Sequence, residues 1–172
     1  MRKILACAVT TALVAASGSA GALTATNTFT VTATVKATCS VAVTGNTLGF
    51  GNYVPGSGTI NQTATLNVNC TKGTPFTNVL LNAGSTAGGT VAQRLMANGA
   101  NTLQYNLYTD NAHTTTWGDG VTGTPGAGGT GAGMAAANAV VYTVYGQLPD
   151  NATNQAAVPG NYSDTVTITV NY

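Results

Sequence analysis

Leu23-Thr24-Ala25-Thr26-Asn27-Thr28-Phe29-Thr30-Val31-Thr32-Ala33-Thr34-Val35-Lys36-Ala37-Thr38 alternates between two kinds of side chain and contains no Gly or Pro. The odd positions are apolar except for Asn27, and the even ones are Thr except for Lys36. Period-2 order over this length predicts a β-strand with one buried face. At about 3.3 Å per residue, Leu23 to Val35 would span roughly 43 Å. That is longer than a usual strand of a globular sheet, so part of it is expected to reach beyond the domain's own sheet. Pairing inside its own sandwich is the ordinary alternative.

Upstream lies an export signal. Met1-Arg2-Lys3 is a basic start, Ile4 to Val14 a short apolar run, and Ala20-Gly21-Ala22 an A-x-A cleavage site. Residues 1–22 are therefore expected to be removed, with residues 23–36 as an N-terminal strand and 37–172 as the folded domain. The apolar run is too short to span a bilayer, and no later stretch is long and apolar enough, so no membrane insertion is expected.

Downstream, alternation recurs in pieces separated by Gly, Asn, Asp and Pro. Thr59 to Cys70 places Ile60, Ala64, Leu66, Val68 and Cys70 on one face. Val79-Leu80-Leu81 reads as a strand buried on both sides. Leu103, Tyr105 and Leu107 alternate with polar neighbours, and Val140 to Gln147 forms a further strand. At the C-terminus Val166, Ile168, Val170 and Tyr172 alternate with Thr165, Thr167, Thr169 and Asn171. Many short strands with little helical periodicity indicate an all-β sandwich or barrel. Gly118 to Ala139, rich in Gly, Ala and Thr, reads as a flexible surface loop.

Without residues 1–22, three basic residues (Lys36, Lys72, Arg94) face four acidic ones (Asp110, Asp119, Asp150, Asp164), a net charge of −1. No basic stripe suits nucleic acid. So few charges is unusual for a monomer and suits a protein that assembles. Cys39 and Cys70 form an even pair in an exported chain, which reads as a disulfide, the alternative being two buried thiols. The bridge would close a loop of about 32 residues, worth roughly 3–4 kcal/mol by the chain-entropy argument. His113 is the sole histidine and Glu is absent. Nothing in this inventory supports a metal site, a cofactor site or a catalytic residue set, and no enzymatic role is expected.

Taken in order, several pieces resemble the spore coat protein U domain family, which includes subunits of archaic chaperone–usher pili. They are the alternating strand before Cys39-Ser40-Val41, then Phe50-Gly51, then Leu66-Asn67-Val68-Asn69-Cys70-Thr71. Leu103 to Asp110, Trp117-Gly118-Asp119-Gly120, Val144-Tyr145-Gly146, Pro159 to Asp164 and the Thr165 to Val170 strand complete the set. The resemblance implies an incomplete immunoglobulin-like β-sandwich lacking its final strand. A periplasmic chaperone would cover the gap first, working with an outer-membrane usher. The N-terminal strand of another copy would then fill it, with Phe29, Val31, Ala33 and Val35 as the inserted side chains. Val166, Ile168, Val170 and Tyr172 would form the C-terminal strand offered to the chaperone. A surface pilus supporting adhesion and biofilm formation is the leading expectation. A spore or cell-surface coat layer of the same fold is the alternative, as is a tip adhesin binding a surface or carbohydrate.

Overall fold

The computed structural model describes residues 21–172, so the expected signal, residues 1–22, falls outside it except for its last two positions. Residues 21–34 are a unit of their own, with no helix or strand and every side chain exposed.

The remaining chain is an immunoglobulin-like sandwich of two antiparallel sheets. One sheet has five strands: β1 (Cys39–Val43), β2 (Ile60–Cys70), β4 (Arg94–Asn98), β5 (Asn101–Tyr108) and β7 (Val140–Leu148), in the order β1-β2-β7-β5-β4. The other has β3 (Pro75–Leu81), β6 (Gly126–Thr130) and β8 (Ile168–Asn171), in the order β6-β3-β8. The only α-helix among the described residues is one turn, α1 (Ala152–Gln155), capped by the Asn151 side chain.

The core forms where the alternation predicts it. Ala64, Leu66, Val68 and Cys70 from β2 meet Tyr105, Leu107 and Val144 from β5 and β7. Across the gap they pack on Phe76, Val79 and Leu81 of β3 and on Trp117. In β3, Val79 and Leu81 are fully buried, while Leu80 is half-buried on the opposite face beneath Gly120. Cys39 and Cys70 lie opposite each other in the β1–β2 ladder and are joined by a disulfide.

Gly118 to Ala139 is not the flexible loop expected from its composition. It contains β6, which pairs with β3 from Pro75↔Thr130 to Val79↔Gly126. Its glycines permit close approach. A Cβ at Gly126 would stand 2.5 Å from the Trp117 ring, and one at Gly131 would stand 2.6 Å from the Cys70 side chain. Glycine here reflects tight packing against neighbouring groups rather than freedom of the chain.

Polar side chains close the interior. Arg94 is wholly buried, and its guanidinium donates to five oxygens: Asn82 O, Val91 O, Asn106 Oδ1, Leu81 O and Trp117 O. Asn106 donates in turn to Ala92 O. Neither role has a sequence signature beyond a lone Arg inside an uncharged stretch.

A candidate strand-binding groove

Between β1 and α1 in the chain, and again after α1, two segments run without strand partners along much of their length. The first is Thr47 to Tyr53. Among the described residues its backbone makes no backbone–backbone hydrogen bond. Leu48 and Phe50 turn half-inward, where they rest over Gly146 of β7; a Cβ at Gly146 would stand 2.8 Å from Leu48 and 3.1 Å from Phe50. Phe50 also meets the Tyr105 ring edge-on at 6.1 Å. Asp150 pins the far end of this segment, accepting from the Tyr53 hydroxyl at 2.5 Å and from the Gly56 and Gly58 amides at 3.0 and 2.8 Å.

The second segment is residues 157–171. It is tethered along one side only. Ser163 exchanges two backbone hydrogen bonds with Ala97 of β4, Thr167 O accepts from Asn82, and β8 pairs with β3 through Leu81↔Ile168 to Asn78↔Asn171. Its other edge is unpaired: β8 is the last strand of its sheet, and β1 lies beside it without a ladder between them.

Between these edges lies an apolar groove made of two adjoining cavities of about 590 and 440 Å³ that share Leu48, Phe50, Met96 and Tyr162. The larger reaches Leu103 and Leu148; the smaller reaches the core at Ala64, Leu81 and Leu107 and is bordered by Val166 and Ile168. The one charged group lining it is Asp164. Its Oδ1 accepts from the amides and hydroxyls of Ser85 and Thr86 at 2.9–3.1 Å, and its Oδ2 accepts from the Tyr105 hydroxyl at 2.6 Å. Partial burial opposes ionisation, but the bonds from Tyr105 and Thr86 outweigh it and hold the carboxyl below its usual range. Gly84 gives this carboxylate room, since a Cβ there would overlap it.

The residues singled out from sequence divide between two places. Val166, Ile168 and Val170 are half-buried against the core, on one side of the groove or just beyond it. Tyr172 falls after the last residue of β8 and is 62% exposed. Phe29, Val31 and Val35 are exposed by 88%, 80% and 82%, and Ala33 is exposed as well. The groove's other wall, Leu48 to Tyr53, is a short Gly-interrupted piece of sequence in which neither Leu48 nor Phe50 stands in a run long enough to show a period.

Unpaired backbone beside an apolar trough is a template for one more strand. A strand placed there would find donors and acceptors on both sides and pockets beneath alternate side chains. No helix among the described residues is long and apolar enough to cross a membrane. No curated protein matches the chain. The family model described as Spore Coat Protein U domain matches residues 25–169, a span that takes in both groove walls and most of the alternating N-terminal segment. That family is a structural one, associated with chaperone–usher pilus subunits. The chain belongs to the Spore Coat Protein U domain family.

Proposed function

We propose that this protein is a structural subunit of a surface pilus, exported through the periplasm and assembled by a chaperone–usher pathway. Each copy lends residues 23–36 to the groove of the next, and the fibre supports adhesion and biofilm formation. The observation that carries this reading is the apolar groove whose two walls, Thr47 to Tyr53 and residues 157–171, have unpaired backbone edges.

The N-terminal segment has the complementary character. It alternates, it lacks Gly and Pro, and its large apolar side chains are exposed. Burying Phe29 and Val31 is worth roughly 1.5–3 kcal/mol each before the cost of ordering the strand. Backbone ladders on two sides add to that. Before assembly the same groove is an aggregation hazard, which a periplasmic chaperone offering its own strand removes, with Val166, Ile168 and Val170 beside it. The usher then exchanges that strand for the next copy's. The role is structural and needs no cofactor.

Deletion of residues 23–35 tests the reading. The shortened subunit should accumulate with its chaperone yet fail to extend into polymer. A synthetic peptide of residues 23–35 should bind it and raise its melting temperature. Normal polymers from the deleted chain would overturn the proposal. Electron microscopy of the intact assembly separates a thread from a coat layer.

A further inference from the structure

The apolar face of the N-terminal segment has one polar break, Asn27, and the inward face of the groove's C-terminal wall has one charged break, Asp164. We propose that Asn27 of one copy docks opposite Asp164 of the next, fixing an antiparallel register in which Thr28 lies across from Ser163. This rests on the strand-donation reading above and adds to it the pair that sets the register.

Three observations support it. First, every ladder in both sheets is antiparallel, so a strand added beside residues 157–171 continues the pattern when it runs antiparallel to them. Second, the cavities fit. Counting outward from Asn27 and Asp164 places Phe29 opposite Tyr162, which borders both cavities, and Val31 opposite Gly160 in the larger one. A Cβ at Gly160 would overlap the Asn98 amide, so this position offers backbone and not a side chain to the larger cavity. The smaller Ala25 falls opposite Val166, and Leu23 opposite Ile168, at the smaller cavity. Third, an inserted strand would cover Asp164 and take water from it. A covered carboxylate needs donors. Oδ1 already has four, whereas Oδ2 has only the Tyr105 hydroxyl, and a carboxylate oxygen has room for a second. The Asn27 amide brings that donor, and directly opposed residues in an antiparallel pair stand close enough for it. An apolar residue at 27 would restore the alternation and leave the carboxylate short.

Cysteine pairs in the full-length chain read the register. Ser163 is exposed between half-buried neighbours, and Thr28 stands on the Thr face of the N-terminal segment. Chains carrying Thr28→Cys and Ser163→Cys, assembled with chaperone and usher, should give a covalent ladder of multimers on a non-reducing gel. Thr26→Cys or Thr30→Cys with Ser163→Cys should give at least tenfold less. A stronger ladder from the Thr26 pair or from the Thr30 pair means a strand slipped by two or running parallel; either overturns the proposal. So does intact polymer with no ladder from any pair. Loss of the strand-donation reading looks different: polymer then forms without residues 23–35 at all. As a second measurement, Asn27→Leu should lower polymer yield at least tenfold and Asn27→Asp at least as much. Improved assembly with Leu would show that this position wants only apolar contact, and would end the proposal.

Discussion

Arg94 Nη1 donates to Asn106 Oδ1 across 2.7 Å in the interior, joining neighbouring strands β4 and β5 by a side-chain contact as well as a ladder. The same guanidinium holds the carbonyls of Leu81 and Trp117, at the end of β3 and in the loop beyond β5. One buried cation therefore ties both sheets to the Trp117 loop without any carboxylate partner in contact.

Arg94→Met should cost about 3–5 kcal/mol, because it strands several buried acceptors at once. Arg94→Lys should recover little, since an ammonium cannot reach five oxygens in one plane. Urea unfolding of the chaperone-free, peptide-complemented subunit measures both.

Replacing Cys39 and Cys70 with Ser should cost roughly 3–4 kcal/mol on the chain-entropy argument. The residues between them include the Leu48 to Tyr53 wall, so peptide binding should weaken as well. Unfolding and peptide titration with and without reductant report the two effects separately.

Acid should loosen the loops before it opens the core. Asp150 is held down at about 2 by the Tyr53 hydroxyl and then the Gly56 amide, and Asp110 at about 2 chiefly by the Thr114 amide. Each folded value lies below the ordinary 3.8, so the stabilisation is fully present above about pH 4 and fades as pH falls toward 2. Urea midpoints measured from pH 6 to pH 2 should fall in that window. Asp150→Asn should flatten the dependence and speed amide exchange at Gly56 and Gly58.

In the donated strand, Val31→Asp buries an unpaired carboxylate and should cost several kcal/mol at the interface. Thr30→Ser, on the other face, should change binding by less than about 0.5 kcal/mol. Peptide titration against the deleted subunit compares them, and equal effects would deny the segment a buried face.

Gly146→Ala should act on the groove more than on the fold. Its new methyl would push Leu48 and Phe50 outward from below. Polymer yield should drop while the unfolding free energy from urea titration falls by no more than about 1–2 kcal/mol.

How much of this was readable in the chain depends on whether side chains carried the signal. Ala64, Leu66, Val68 and Cys70 announce β2 because their face is apolar except for Gln62 and every position on the other face is polar. β6 could not be read so, since Gly126-Ala127-Gly128-Gly129-Thr130 has no contrast between faces; its structure lies in what the missing side chains avoid. Arg94 and Asn106 were invisible for a related reason. Their burial depends on carbonyls gathered from the end of β3 and from the loops before β4 and after β5, and no periodic pattern encodes those. The alternation of Leu23 to Val35 was plain, but alternation describes a face to be buried and does not say by whom.

The disulfide acquires a mechanical meaning if copies are linked end to end. Tension transmitted through the N-terminal segment would enter the sandwich at Lys36 to Cys39. Thr71 meets that entry point, its hydroxyl donating to Lys36 O and its amide to Thr38 O. Pulled from this end, β1 would unzip from β2 one pair at a time, and the first pair to part would be Cys39↔Cys70. That pair is covalent. The load therefore bypasses the weak five-residue edge strand and passes into β2, which is laddered on its other side to β7 from Ile60↔Leu148 to Val68↔Val140. Peeling becomes shear across a long ladder.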